Sequence, residues 1–208
     1  MLFDTVLVGA LGVNCYILGC EETREAVVID PGDEAERILS RLKQLNLNPV
    51  TIVNTHGHFD HVGGNSQMFQ ATGATLHIHP ADAGMLGDVA RVAKMYGLHG
   101  ENSPPADKLL EDSSFICFGR QRIKVIHTPG HTAGGCCLYI EEEKMLISGD
   151  TLFADSIGRT DLPGGSLTQL LESIKEKLFL LPEQVKVYPG HGSATTIGHE
   201  KRHNPYLD

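Results

Sequence analysis

Between Thr55 and Gly64 the chain reads THGHFDHVGG, and His56, His58, Asp60 and His61 fall within six residues. Imidazole and carboxylate groups are the usual donors to divalent cations of intermediate hardness. The stretch could be a polar loop, a structural metal clip, or one wall of a catalytic metal centre. The choice turns on whether the rest of the chain supplies the missing donors.

It does so in a repeated way. VTIVNT runs into His56, IKVIHTPG into His131, MLISG into Asp150, and VKVYPG into His191. Each time an apolar run ends and a metal-capable residue follows. At His131, Asp150 and His191 a glycine comes directly before, which lets the backbone turn sharply. Strands that end at a common edge can bring such residues together from distant parts of the chain. The donors are then His56, His58, Asp60, His61, His131, Asp150 and His191. One tetrahedral zinc needs four ligands, and structural zinc sites usually include cysteine. Seven donors without a thiolate suit two divalent ions, with a carboxylate such as Asp150 between them. Two such ions can hold a hydroxide at neutral pH. Asp60 and Asp150 are the carboxylates expected at the reacting centre. The other six histidines, His77, His79, His99, His127, His199 and His203, read as ordinary polar or core residues.

The elements that must carry these residues are legible as β-branched runs at 5–8, 15–18, 26–30, 50–55, 75–79, 115–118, 123–128, 136–140, 145–150 and 185–190. GRQ after Phe118 and EEEK after Ile140 read as hairpin turns. Apolar residues at helical spacing predict a helix over 34–46, N-capped by Asp33, and another over 166–179, N-capped by Ser166. A further helix is expected over 62–72, entered through Gly63 and Gly64. ADAGML reads as a short helix and GLHGENSPPADK as an exposed loop. Strands and helices mixed with hairpins predict an α/β sandwich, not a doubly wound parallel sheet.

The chain has 208 residues, 41% hydrophobic and 21% charged, with a net charge of −9. This suits a single soluble domain. The acidic balance disfavours nucleic acid or an anionic membrane as partner. The N-terminal stretch lacks a basic region and reads as strand–turn–strand, so a cytoplasmic protein is expected. Five cysteines without CxxC spacing read as reduced, buried thiols.

The pattern HxHxDH followed by separate His, Asp and His resembles the metallo-β-lactamase superfamily. The likeness extends through NCYIL, DPGD, HTPGHTAGG, GDTLF, GRTDLPGG and PGHG, nearly the whole chain. It is nearest the glyoxalase II-type branch, the hydroxyacylglutathione hydrolases. The resemblance implies an αββα sandwich with the metals at one edge. It gives His56, His58 and His131 to the first ion and Asp60, His61 and His191 to the second, with Asp150 bridging. Asp30 corresponds to an early Asp that supports the site without binding metal. The implied cofactors are two divalent ions, zinc first, with iron or manganese as alternatives. Glyoxalase II enzymes carry a C-terminal helical domain that helps grip glutathione, whereas only 17 residues follow His191 here. One metallo-β-lactamase-fold domain over 1–208 is therefore expected, as in the short glyoxalase II-like proteins of bacteria, and the glutathione site is not carried over.

The expected activity is hydrolysis of a small-molecule thioester such as S-lactoylglutathione. Antibiotic hydrolysis is disfavoured, because Asp150 stands where many true β-lactamases have Cys or Ser. Persulfide dioxygenases share the fold and the GRTD segment, and would use one iron on His56, His131 and Asp150. A non-catalytic metal module is the remaining alternative. Arg159 and Thr160 read as a loop near the site. Tyr16, Arg91, Lys94, Tyr96, Lys201 and Arg202 are side chains that could reach an anionic substrate, with a solvated surface as the plainer fate.

Overall fold

The computed structural model describes residues 1–207. Two six-stranded sheets dominate it. The first comprises β1 (Leu2–Val8), β2 (Val13–Gly19), β3 (Glu25–Ile29), β4 (Asn48–Val53), β5 (Thr75–Ile78) and β6 (Lys108–Leu109), in that spatial order. β1 to β3 are antiparallel neighbours, and β3 to β6 are parallel. The second sheet contains β7 (Phe115–Phe118), β8 (Gln121–His127), β9 (Cys136–Ile140), β10 (Met145–Gly149), β13 (Lys186–Pro189) and β14 (Thr195–Thr196), while β11 (Leu152–Phe153) and β12 (Ser156–Ile157) pair as a separate ribbon. Its order is β14-β13-β10-β9-β8-β7, and only β10 and β13 run parallel. Both expected hairpin turns are present, joining β7 to β8 and β9 to β10.

The side-chain period of two explains the layering. On β2, Cys15 and Ile17 pack under α1 (Ala35–Gln44) and α3 (Asn65–Thr72), while Tyr16 and Leu18 face the opposite sheet. On β9, Leu138 and Ile140 enter the same inter-sheet core. Cys137 and Tyr139 point the other way, toward Leu170 and Ile174 of α5 (Leu167–Glu176). The result is four layers, helix–sheet–sheet–helix, the αββα sandwich that the resemblance implied.

Several local expectations are corrected. The residue at the N-cap of α1 is Glu34, in left-handed conformation, and Asp33 Oδ1 accepts only the Glu34 N–H. Ser166 caps α5 as expected, through the Gln169 N–H. The helix expected over 62–72 is two pieces, α2 (Phe59–Val62) and α3, separated at Gly63–Gly64. Both glycines lie against the backbone of Pro31 and Gly32, where no side chain fits. ADAGML forms part of a 3-10 turn over Ala83–Asp88, followed by α4 (Val89–Met95), which its short, mixed sequence does not announce. Four cysteines are buried, but Cys117 points outward from β7.

Candidate metal centre

All four strand ends identified from the sequence open at one edge of the sandwich. β4 delivers His56, and the short α2 that follows carries Asp60 and His61 on adjacent positions. β8 leads to His131, β10 to Asp150 and β13 to His191. The donor atoms of His56, His58 and His131 lie within 4.8 Å of one another, as do those of Asp60, His61 and His191. Asp150 stands between the two trios. Its Oδ2 is 3.6 Å from His131 Nε2 and 3.7 Å from His191 Nε2, and its Oδ1 is 3.5 Å from His61 Nε2. The seven residues singled out in the sequence are thus all brought together.

Glycine is required at two of these turns. Gly130 has φ +138°, and a Cβ there would enter the backbone of Leu170. A Cβ on Gly190 would collide with Asp150 Oδ1 and the His61 ring. Substituting either would displace the donor beside it.

The partners of the outer ring nitrogens decide which atoms face inward. His131 Nδ1 lies 2.8 Å from the Arg159 carbonyl oxygen, and His191 Nδ1 lies 3.1 Å from that of Leu11. A carbonyl only accepts, so both Nδ1 atoms carry the proton. His61 Nδ1 donates to Asp30 Oδ2 at 3.0 Å. Thr55 Oγ1 donates to Asp30 Oδ2, leaving its oxygen to accept from His56 Nδ1 at 3.1 Å. Four Nε2 lone pairs therefore point into the centre. His61 Nε2 and His191 Nε2 are 3.2 Å apart, and His131 Nε2 is 2.9 Å from His58 Nδ1. With both rings neutral, the His61–His191 contact sets lone pair against lone pair, which a cation between them relieves, whereas His58 Nδ1 can donate to His131 Nε2. His56 Nε2 and Asp150 Oδ1 are buried with no hydrogen-bond partner, which is costly unless something charged satisfies them. These features fit two divalent cations.

The electrostatics agree. Burial holds His56 well below the usual imidazole range, and burial with His131 nearby lowers His58 to about 4. Both are neutral imidazoles at pH 7. Burial opposes charge on His61, yet Asp150 and Asp30 outweigh it and raise that ring. Burial also works against the Asp150 carboxylate, but His61, His131 and His191 hold it at about 2. Asp60 is likewise lowered against its burial, chiefly through His191. The centre is a well of negative potential awaiting positive charge.

Asp30 lies beside His56 and His61, with a donor atom within 4.8 Å of theirs. It is buried, has φ +51°, and accepts from Thr55 N–H at 2.7 Å as well as from Thr55 Oγ1 and His61. Asp82 was not singled out by its sequence context. It is buried and accepts from Gly57 N–H (3.0 Å), Thr132 Oγ1 (2.7 Å) and Gly134 N–H (2.7 Å). One carboxylate thereby ties the His56–His58 loop to the His131 loop. Only its acidic type within an otherwise apolar stretch hinted at this.

Of the side chains considered for substrate, Tyr16 is buried and donates to the Pro189 carbonyl at 2.6 Å, bracing the His191 turn. Arg91 pairs with Asp88, Arg202 with Glu183, and Arg159 with Asp161, all at the surface. Tyr96 stacks on Phe59, and Lys201 lies over Phe179. Among the histidines set aside, His199 meets Asp155 and buried Glu200. Glu200 is satisfied by Asp155 N–H, Asn204 Nδ2 and Thr195 Oγ1, so this group fastens α6 (Ile197–His203) to its neighbours.

The family model of the metallo-beta-lactamase superfamily matches residues 8–191. The hydroxyacylglutathione hydrolase GloC of Haemophilus influenzae is 37% identical over 215 residues, covering 100% of this chain and 99% of its own. Among solved structures, the BLEG-1 B3 metallo-beta-lactamase has a TM-score of 0.93 at 39% identity, covering 99% of both chains. TTHA1623 in a di-iron-bound form has a TM-score of 0.91 at 38% identity, covering 98% of this chain and 100% of its own. Near-complete coverage and a convergent His/Asp centre lead to one conclusion: the chain belongs to the metallo-beta-lactamase superfamily, in its glyoxalase II-like branch.

Proposed function

We propose that the protein is a dinuclear metal-dependent hydrolase that cleaves thioesters, S-lactoylglutathione being the first to test. The observation that carries this reading is the pair of donor trios joined by Asp150, with His56 Nε2 and Asp150 Oδ1 left unpartnered. The likeness to a hydroxyacylglutathione hydrolase over the full chain supports the same class.

His56, His58 and His131 would hold one divalent ion, Asp60, His61 and His191 the other, and Asp150 would contribute to both. Such ions supply a hydroxide nucleophile at neutral pH and polarise the acyl carbonyl. The chain's own part is preorganisation. Asp30 and the carbonyls of Arg159 and Leu11 fix which ring nitrogen carries each proton, so the lone pairs face inward before substrate arrives. Asp60 and Asp150 stay ionised, as a metal site requires. A thiolate leaves readily, so no Ser or Cys nucleophile and little acid assistance is needed.

The test is reconstitution with zinc, manganese or iron followed by S-lactoylglutathione turnover. Asp150→Ala should reduce kcat by about a thousandfold or more and lower bound metal from two equivalents toward one. Full activity in that variant would overturn the dinuclear reading. A second reading, oxidation of a persulfide at a single iron on His56, His131 and Asp150, draws on the GRTD segment. Oxygen uptake without thioester turnover would favour it. A β-lactam run in parallel tests the activity that BLEG-1 is named for.

A further inference from the structure

His191 sits between Gly190 and Gly192, and its side chain is 28% exposed against 5% for His131. Gly192 has φ +75°, with open space where a side chain would stand. A turn of this kind has backbone freedom to lose, and local packing does not remove it.

What fixes the turn comes from the other sheet. Asn14 of β2 donates from Nδ2 to the carbonyls of Pro189 and Gly192, both at 3.0 Å. Its backbone N–H donates to the Gly190 carbonyl at 2.8 Å. Val13 forms an antiparallel bridge with His191, and the Leu11 carbonyl accepts from His191 Nδ1. One buried amide therefore clamps the chain on both sides of the histidine. A primary amide carries two N–H donors, enough for both carbonyls, whereas a carboxylate, a hydroxyl or an alkyl group of similar size does not. The first trio is supported elsewhere: His131 through the Arg159 carbonyl and the bonds of Asp82 to Thr132 and Gly134, His56 through Thr55.

Resting on the dinuclear reading, we propose that Asn14 is the positioning residue of the second ion. It holds His191 where the Asp60–His61–His191 trio closes. Its loss leaves a protein that keeps one ion, at the His56–His58–His131 trio. The number of ions bound is then set from β2, by a side chain whose hydrogen bonds end on backbone carbonyls.

Two variants and two readouts test this. Asn14→Leu removes both side-chain donors at similar size, and Asn14→Ser keeps one. In metal-free protein, at a pH where the ring is neutral, nitrogen NMR reports which ring atom of His191 carries the proton. The wild type should show the Nδ1–H form and Asn14→Leu a mixture with the Nε2–H form. Cobalt titration against a chelator then reads each site, with His58→Gln and Asp60→Asn telling the two apart. Asn14→Leu should weaken the second ion about 10- to 100-fold and the first by less than about twofold, with Asn14→Ser between. Should Asn14→Leu fail to fold, Asn14→Ser carries the same comparison. Leu42→Ala, a core change in α1 away from the turn, lowers stability and should leave the ratio of the two affinities unchanged. Equal weakening of both ions, or an unchanged His191 tautomer, would overturn the proposal. A wild type that binds a single ion would instead remove the dinuclear reading, and the tautomer would still decide whether Asn14 positions that ring.

Discussion

Individual donor residues are held by neighbours that never face the centre, and Asp82 is the clearest case. Its carboxylate collects hydrogen bonds from both loops that present the first histidine trio. Asp82→Ala would leave three buried donors unpaired and cost on the order of 3 kcal/mol in urea unfolding. The same variant should weaken metal at the His56–His58–His131 trio about 10- to 100-fold in chelator competition, more than at the other trio. Unchanged affinity at both would reduce Asp82 to a fold residue. The seven donors were legible in the sequence because each sits at a recognisable strand end and glycine marks three of them. Asp82 was not, because two of its three partners are backbone groups 25 and 52 residues away, and backbone groups leave no trace in residue type. Tyr16 misleads for the opposite reason: its polar tip suggested a substrate contact, but it satisfies a carbonyl inside the core.

Strands were read well and helices less so. Each sheet strand alternates between two cores, and that period of two survives in the residue order of β2 and β9. The glycine pair at 63–64 breaks the helix expected over 62–72 because Pro31 and Gly32 approach too closely for side chains, a constraint set by tertiary contact. α4 is seven residues long and packs through only a few apolar positions, too short for a clear helical period. One strand carries a titrating group whose effect on stability has a defined sign. His77 of β5 is buried, and burial, helped by Lys108, lowers it to about 4. Between that value and the ordinary value of 6.5 the unfolded chain binds the extra proton, so stability is full above pH 6.5 and falls toward pH 4. The loss is at most about 3 kcal/mol. Denaturant unfolding of the wild type and His77→Gln should show their difference shrinking by roughly that amount from pH 7 to pH 4. A constant difference would mean that His77 is not the group responsible.

Across the whole molecule, the metal centre belongs to neither sheet. His56, His58, Asp60 and His61 follow β4 of the first sheet, while His131, Asp150 and His191 follow strands of the second. Each trio draws on both, so bound ions would pin the sandwich along one edge. Two sites, each held at a hundred times its dissociation constant, would add about 5 kcal/mol, or roughly 10–20 °C in the melting midpoint. Chelation should lower the midpoint by that order, and returning zinc or iron should restore it. A midpoint indifferent to chelator would argue that the edge is already rigid without ions. The αββα architecture itself was accessible from the motif resemblance, whereas the pairing of the sheets depends on which faces meet, and local sequence does not encode that. The split between sheets also bears on the order of assembly. A chain with only its first sheet formed lacks His131 and His191, and one with only its second lacks the other four donors. Neither half completes a trio. Metal capture therefore marks the docking of one finished sheet on the other, and ion uptake during refolding is a clock for that last step.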